Sequence, residues 1–216
     1  MNRTITVKGT GTVRLTPDLT IISLTLKSTD RDYGRAAELA EERLGALRTA
    51  LEELGFERKA LKTQQFRVCT EYESRRDEYG NYRNVFTGYA CVHGLTLEFD
   101  FDTKRLSETL GAIARCVAEP ELNIRFSVKD RDGAADALLK SAVENARHRA
   151  EILASASGVS LGRLMTVDYN WGELNVYSGT NFEMDCKCLP PMPCGAELEP
   201  EDIELSDSAA FVWELE

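Results

Sequence analysis

Apolar side chains recur along this chain with two spacings, one near four residues and one of two, and the alternation of these spacings lays out its elements. Between Asp130 and Asn170, Leu138, Ala142, Ala146, Ala150 and Leu153 follow at steps of four, four, four and three, which places them on one helical face. Ala135, Leu139, Val143 and Ala154 widen that face into a stripe made mostly of alanine, small enough to let a helix lie close against a sheet. Asp130 or Asp132 is positioned to cap its start and Gly158 to end it. The alternation of Leu164, Thr166 and Asp168 against Met165, Val167 and Tyr169 then predicts a strand.

Upstream, Ile5, Val7, Val13 and Leu15 alternate around Gly9 and Gly11, predicting a strand with a glycine-permitted bend or bulge. Pro17-Asp18 makes a turn into a second strand, Leu19 to Ser28. From Arg31 to Leu54, Ala37, Ala40, Leu44, Leu47, Leu51 and Leu54 mark an amphipathic helix that Gly55 stops. Residues 61–101 read as a long hairpin, Leu61 to Ser74 and Val85 to Phe101, joined around the turn dipeptide Gly80-Asn81. A turn centred on Gly80 would set Cys69 opposite Cys91. Burial favours a register one residue away, with Thr70 opposite Cys91, no disulfide, and Phe66, Val68, Thr70 and Tyr72 on the apolar face. Asp102 or Thr103 caps a short helix carrying Leu106, Leu110, Ile113 and Val117, and Leu122 to Lys129 is a further strand. Residues 172–200 lose all periodicity, hold four of the six prolines, and read as an irregular loop, the least ordered part of the chain. Ser208 to Leu215 closes the chain as a strand.

The resulting order, β-β-α-β-β-α-β-α-β-loop-β, mixes hairpins with helical crossovers. It predicts an α+β fold, a twisted and mostly antiparallel sheet with helices packed on one face, in a single domain spanning 1–216.

Charge narrows the partners. A net charge of −10, with basic residues interspersed among acids, argues against a phosphate-binding surface and hence against nucleic acid. No apolar run is long enough for a membrane span, no secretory signal is visible at Met1, and the expected location is cytoplasmic. Six cysteines in a reducing compartment default to thiols or metal ligands.

The candidate chemistry is sparse. Gly9-Thr10-Gly11 has the opening of a dinucleotide loop, but Arg14 stands where the third glycine belongs and a strand follows, so both glycines read as backbone residues. Glu98, Asp100 and Asp102 offer oxygen ligands at a spacing of two. Nothing around them resembles a calcium loop, and the solvent face of a strand, with Asp102 as a helix cap, is the better account. His93 falls on an apolar strand face, as a hydrogen-bonded core histidine would, and His148 lies on the solvated flank of the long helix. Cys116 reads as a small core residue on a helix. Neither histidine has a nucleophile motif beside it, and no catalytic constellation emerges. The oddest stretch is CKCLPPMPC, whose Cys186, Cys188 and Cys194 could bind Zn or Cu as thiolates. Their spacing matches neither a zinc ribbon nor a thioredoxin motif, so a surface loop with incidental cysteines is the alternative.

Six stretches in order resemble the SIMPL-domain family: ITVKGTGTVRLTPD, LEELGFERKALKTQQF, VFTGYACVHGLTLEF, LNIRFSVKD, SAVENARHRAEILASASGVSLGRL and EDIELSDSAAFVWEL. The resemblance covers nearly the whole chain. It implies a twisted, mostly antiparallel sheet with packed helices, in a bacterial family of uncharacterised function. Some of its members are periplasmic, some are linked to oxidative stress, and one assembles into a large ring. It supplies no catalytic residues. The cysteine-rich loop departs from the family pattern.

Two functional expectations follow. The first is a non-enzymatic, self-associating protein working through a surface, a homo-oligomer with no cofactor. Apolar residues on both faces of the strand at 19–28 (Ile21 against Ile22, Leu24 and Leu26) and of the closing strand imply cover on both faces, which another copy of the chain would supply. The second is a thiol-based metal-binding or oxidant-responsive module centred on Cys186, Cys188 and Cys194.

Overall fold

A computed structural model describes residues 3–76, 81–170, 174–185 and 199–216. The strands are β1 (Thr4–Leu15), β2 (Leu19–Asp30), β3 (Leu61–Arg76), β4 (Tyr82–Asp100), β5 (Glu121–Ser127), β6 (Leu161–Asp168), β7 (Tyr177–Asp185) and β8 (Ile203–Leu215). The helices are α1 (Tyr33–Glu52), α2 (Thr103–Arg115) and α3 (Arg131–Ala156). The α+β class and the element order are as the sequence predicts, and the strands divide between two sheets, β1-β8-β6 and β3-β4-β2-β5-β7. Within 172–200, read as irregular, Tyr177–Asp185 is a strand. Its sequence, YSGTNFEMD, has too few apolar residues to alternate visibly, and β7 is an edge strand. Cys186, Cys188 and Cys194 lie outside the described residues.

Contacts divide the chain into two compact units. The first gathers Met1–Asp18, Ser127–Gly179 and Pro200–Glu216, three stretches far apart in sequence. Here β1 and β8 pair antiparallel without a break, from Thr4 opposite Glu214 to Leu15 opposite Ile203. The bend predicted at Gly9 and Gly11 is therefore absent, and their reason is different. A Cβ at Gly9 would collide with the carbonyl oxygen of Ala142, and one at Gly11 with that of Leu138. The glycines let α3 lie directly on the strand.

The buried residues of α3 are Ala134, Leu138, Ala142, Ala146, Ala150 and Ala154, a ridge of strict steps of four. Ala154 therefore takes the place expected of Leu153, which is 49% exposed. Helix α3 also covers the free edge of β1. The backbone N–H of Thr10 donates to Asn145 Oδ1 (3.2 Å), that of Thr12 to Ser141 Oγ (3.2 Å), and the Arg149 guanidinium to the Lys8 carbonyl (3.2 Å). An edge that would otherwise offer unpaired backbone groups is thus capped by side chains. Asp130 caps α3 by accepting from the N–H of Gly133 (2.8 Å), and Gly158 (φ +73°) follows its end.

The second unit gathers Leu19–Phe126 and Thr180–Glu199. Its core is the inward face of the five-stranded sheet, with Ile22, Leu24, Leu95, Leu97, Ile124 and Phe126, packed under Leu47 and Leu51 of α1 and Leu106 and Ile113 of α2. Asp32 and Asp102 cap these helices through the N–H groups of Arg35 (3.0 Å) and Arg105 (2.6 Å). On β2 the other face carries Ser23, Thr25 and Lys27, partly exposed or exposed, and only Ile21 is apolar and buried there. Apart from Ile21 and half-buried Leu19 that face is polar, so the cover expected over it is not needed along most of the strand.

Candidate functional site

Strands β3 and β4 make a hairpin whose last facing pair is Arg76 and Tyr82. Val68 faces Cys91 and Thr70 faces Tyr89, so the expected pairing of Thr70 with Cys91 is corrected by two residues. Two departures combine to produce the slide. The connection is centred ahead of Gly80, and Thr87 is an extra residue in β4 between the pairs Glu71–Gly88 and Tyr72–Phe86. A second bulge leaves Gln64 without a partner on β3. Because the net slide is even, Val68 and Cys91 keep the face assigned to them. Cys69 faces Ala90 instead, and Cys69 and Cys91 are free thiols.

Burial departs further from expectation. Val68 is half-buried with Tyr89 against Ala36, Ala40 and Cys91, whereas Phe66 and Tyr72 are 55% and 58% exposed. Tyr82, Val85 and Phe86 on the returning strand are exposed too. These aromatics lie edge to face rather than in a core: Tyr72 on Phe86 (5.9 Å between centroids), Phe86 on Tyr89 (5.4 Å), and Tyr89 on Tyr33 of α1 (5.8 Å). Strand β3 is the edge of its sheet, sixteen residues long, hydrogen-bonded to β4 on one side only among the described residues.

His93 sits at the base of the hairpin, buried opposite Phe66, with Nε2 2.9 Å from the Thr63 hydroxyl and the Phe66 ring edge-on at 5.2 Å. Burial, and then the charge of Arg48, push its pKa down, so the neutral ring is favoured. It is the hydrogen-bonded core histidine expected from its strand position. His148 is exposed on α3.

The three carboxylates are not brought together as ligands. Asp102 is committed to capping α2, Glu98 and Asp100 are exposed on β4, and no group of three His, Cys, Asp or Glu side chains among the described residues could hold a metal. Cys116, half-buried, is the residue that ends α2 rather than one inside it.

A cleft of about 670 Å³ opens where β3 begins. Arg105, in the first turn of α2, lies over the Phe56 ring at 4.4 Å and within 5.7 Å of the Phe99 ring centre. Lys62, Thr96 and Glu98 line the same cleft. No sequence motif signals this grouping, because its residues come from the end of α1, the start of β3, the end of β4 and the start of α2. In the other unit a cleft of about 540 Å³ is lined by Glu201, Asp202 and Glu204, with Arg14 paired to Glu204 and 3.9 Å from Asp202.

The family model for SIMPL, described as a protein of unknown function (DUF541), matches residues 5–213. The chain is similar to the uncharacterized protein YggE of Escherichia coli K12, 22% identical over 212 residues that cover 98% of this chain and 83% of that one. The YggE proteins of Escherichia coli O157:H7 and Shigella flexneri match to the same extent. A crystal structure of the regulatory subunit of aspartate kinase from Thermus flavus aligns over 97% of this chain and 89% of that one at 10% identity, with a TM-score of 0.13.

Proposed function

This chain belongs to the SIMPL family of proteins of unknown function, and on that premise we propose that it is a non-enzymatic, self-associating protein that works through the β3 edge. The observation that carries the reading is the exposed hairpin. Among the described residues β3 is hydrogen-bonded to a neighbouring strand on one side only, and it carries Phe66 and Tyr72, each more than half exposed. The contrast with β1 supports it further. The β1 edge is covered by Asn145, Ser141 and Arg149, while among the described residues nothing comparable covers β3. Strand addition by another copy would pair those backbone groups and bury the aromatics in one step.

Light scattering across micromolar concentrations tests this. The expected result is an oligomer, and the double substitution Phe66→Lys with Tyr72→Lys should lower the average mass towards that of the 24.1 kDa chain. Wild-type protein that stays monomeric over that range would sink the reading. Zinc or copper bound near stoichiometrically in purified protein would favour the loop cysteines as the working part instead.

A further inference from the structure

We propose that the cleft at the start of β3 binds a small organic carboxylate with an apolar body. Four features converge. Arg105 is the first. Its guanidinium lies over the Phe56 ring at 4.4 Å and 5.7 Å from the centre of the Phe99 ring, which meets Phe56 edge-on at 5.3 Å, and its side chain makes no ion pair or hydrogen bond among the described residues. Stacking spends the face of a guanidinium and leaves its N–H fork, the part that reads a carboxylate bidentately, available.

Lys62 is the second feature, a further cation on the cleft wall that no side chain pairs among the described residues. Thr96, its cross-strand neighbour, is the third. It is 5% exposed, and its hydroxyl has no hydrogen-bond partner among the described residues. A buried hydroxyl left unpaired is costly. Fourth, Phe56 and Phe99 give the cleft an apolar floor, which an inorganic anion would not use but an aryl or alkyl group would. The volume, about 670 Å³, is in the range that small organic ligands occupy. The cleft lies at the base of the β3–β4 hairpin, is not lined by Phe66 or Tyr72, and the proposal does not rest on self-association.

The test is calorimetric titration of the full-length protein with sodium benzoate, with its neutral isostere benzamide and with inorganic phosphate. Benzoate should bind saturably near one per chain, benzamide should not saturate, and phosphate should bind more weakly than benzoate. Arg105→Gln should weaken benzoate at least about tenfold, and Arg105→Lys, which keeps the charge but loses the fork, should fall between. Circular dichroism on both variants separates lost binding from lost fold, and Lys62→Gln, on an exposed strand position, gives an independent loss of affinity. Benzoate that fails to saturate, binding unchanged in Arg105→Gln, or phosphate that outcompetes benzoate would each overturn the proposal.

Discussion

His93 shows how a single side chain ties this fold to pH. In the folded chain its neutral ring meets the Thr63 hydroxyl at 2.9 Å, and burial and Arg48 both disfavour the imidazolium. The unfolded chain has no such restraint and takes up a proton near the ordinary histidine value, about 6.5. Between the two values the unfolded state holds more protons, so stability rises with pH across that window. The contribution is complete above the unfolded value and is lost as pH falls through the lower, folded one. Melting temperature should therefore drop between pH 7.5 and 5, and His93→Gln, which keeps a partner for Thr63, should flatten the part of that drop that His93 causes. An equal drop in the variant would assign it to the carboxylates instead. The sequence placed His93 on the buried face correctly, since strand parity alone decides that. It could not place Arg48, which comes from a helix 45 positions earlier and reaches His93 only through tertiary packing.

At the scale of elements, the pairing of α3 with β1 was half legible. The alanine stripe announced a helix lying close to a sheet, but not which strand it would lie on. A glycine in a strand pattern signals either a bend or bulge or a close neighbour, and the pattern around Gly9 and Gly11 alone does not choose. The unbroken register of β1 with β8 chooses the neighbour. The two accounts predict opposite signs. At an ordinary strand position Gly→Ala stabilises by roughly 0.5–1 kcal/mol through the unfolded state. Here the added methyl meets the Leu138 carbonyl, and overpacking costs typically 1–3 kcal/mol. Gly11→Ala should therefore lower the midpoint of thermal unfolding by roughly 3–8 °C at this chain length. A raised midpoint would restore the bend. The hairpin register departs for another reason: the pairing closes on Arg76 opposite Tyr82 and an extra residue, Thr87, intervenes before Cys91, and counting outwards from Gly80 cannot find either.

The whole molecule carries a charge of −10, so two copies repel at long range. If the β3 edge joins copies through backbone pairing and aromatic burial, added salt screens the repulsion and leaves the attraction, and average mass should hold or rise from roughly 0.05 to 0.5 M salt. A fall in mass would mean that ion pairs hold the assembly. Class and element order were readable from the sequence because short-range periodicity encodes them, and the family was readable from the resemblance carried by six stretches in order. The division into two units was not, because the first unit is sewn from three distant stretches. That stitching has a consequence for how the protein is made. The helices and most of the strands of the second unit lie within Leu19–Phe126 and emerge from the ribosome as one block, free to collapse while translation continues. Strand β1 emerges earlier still, but its partner is β8, and at roughly 5–20 residues per second it waits about 10–40 s for that partner to be synthesised. During that interval a strand-prone segment of alternating apolar and polar residues stays unpaired. Of the eight strands described, β1 is the first to be made and among the last to be paired.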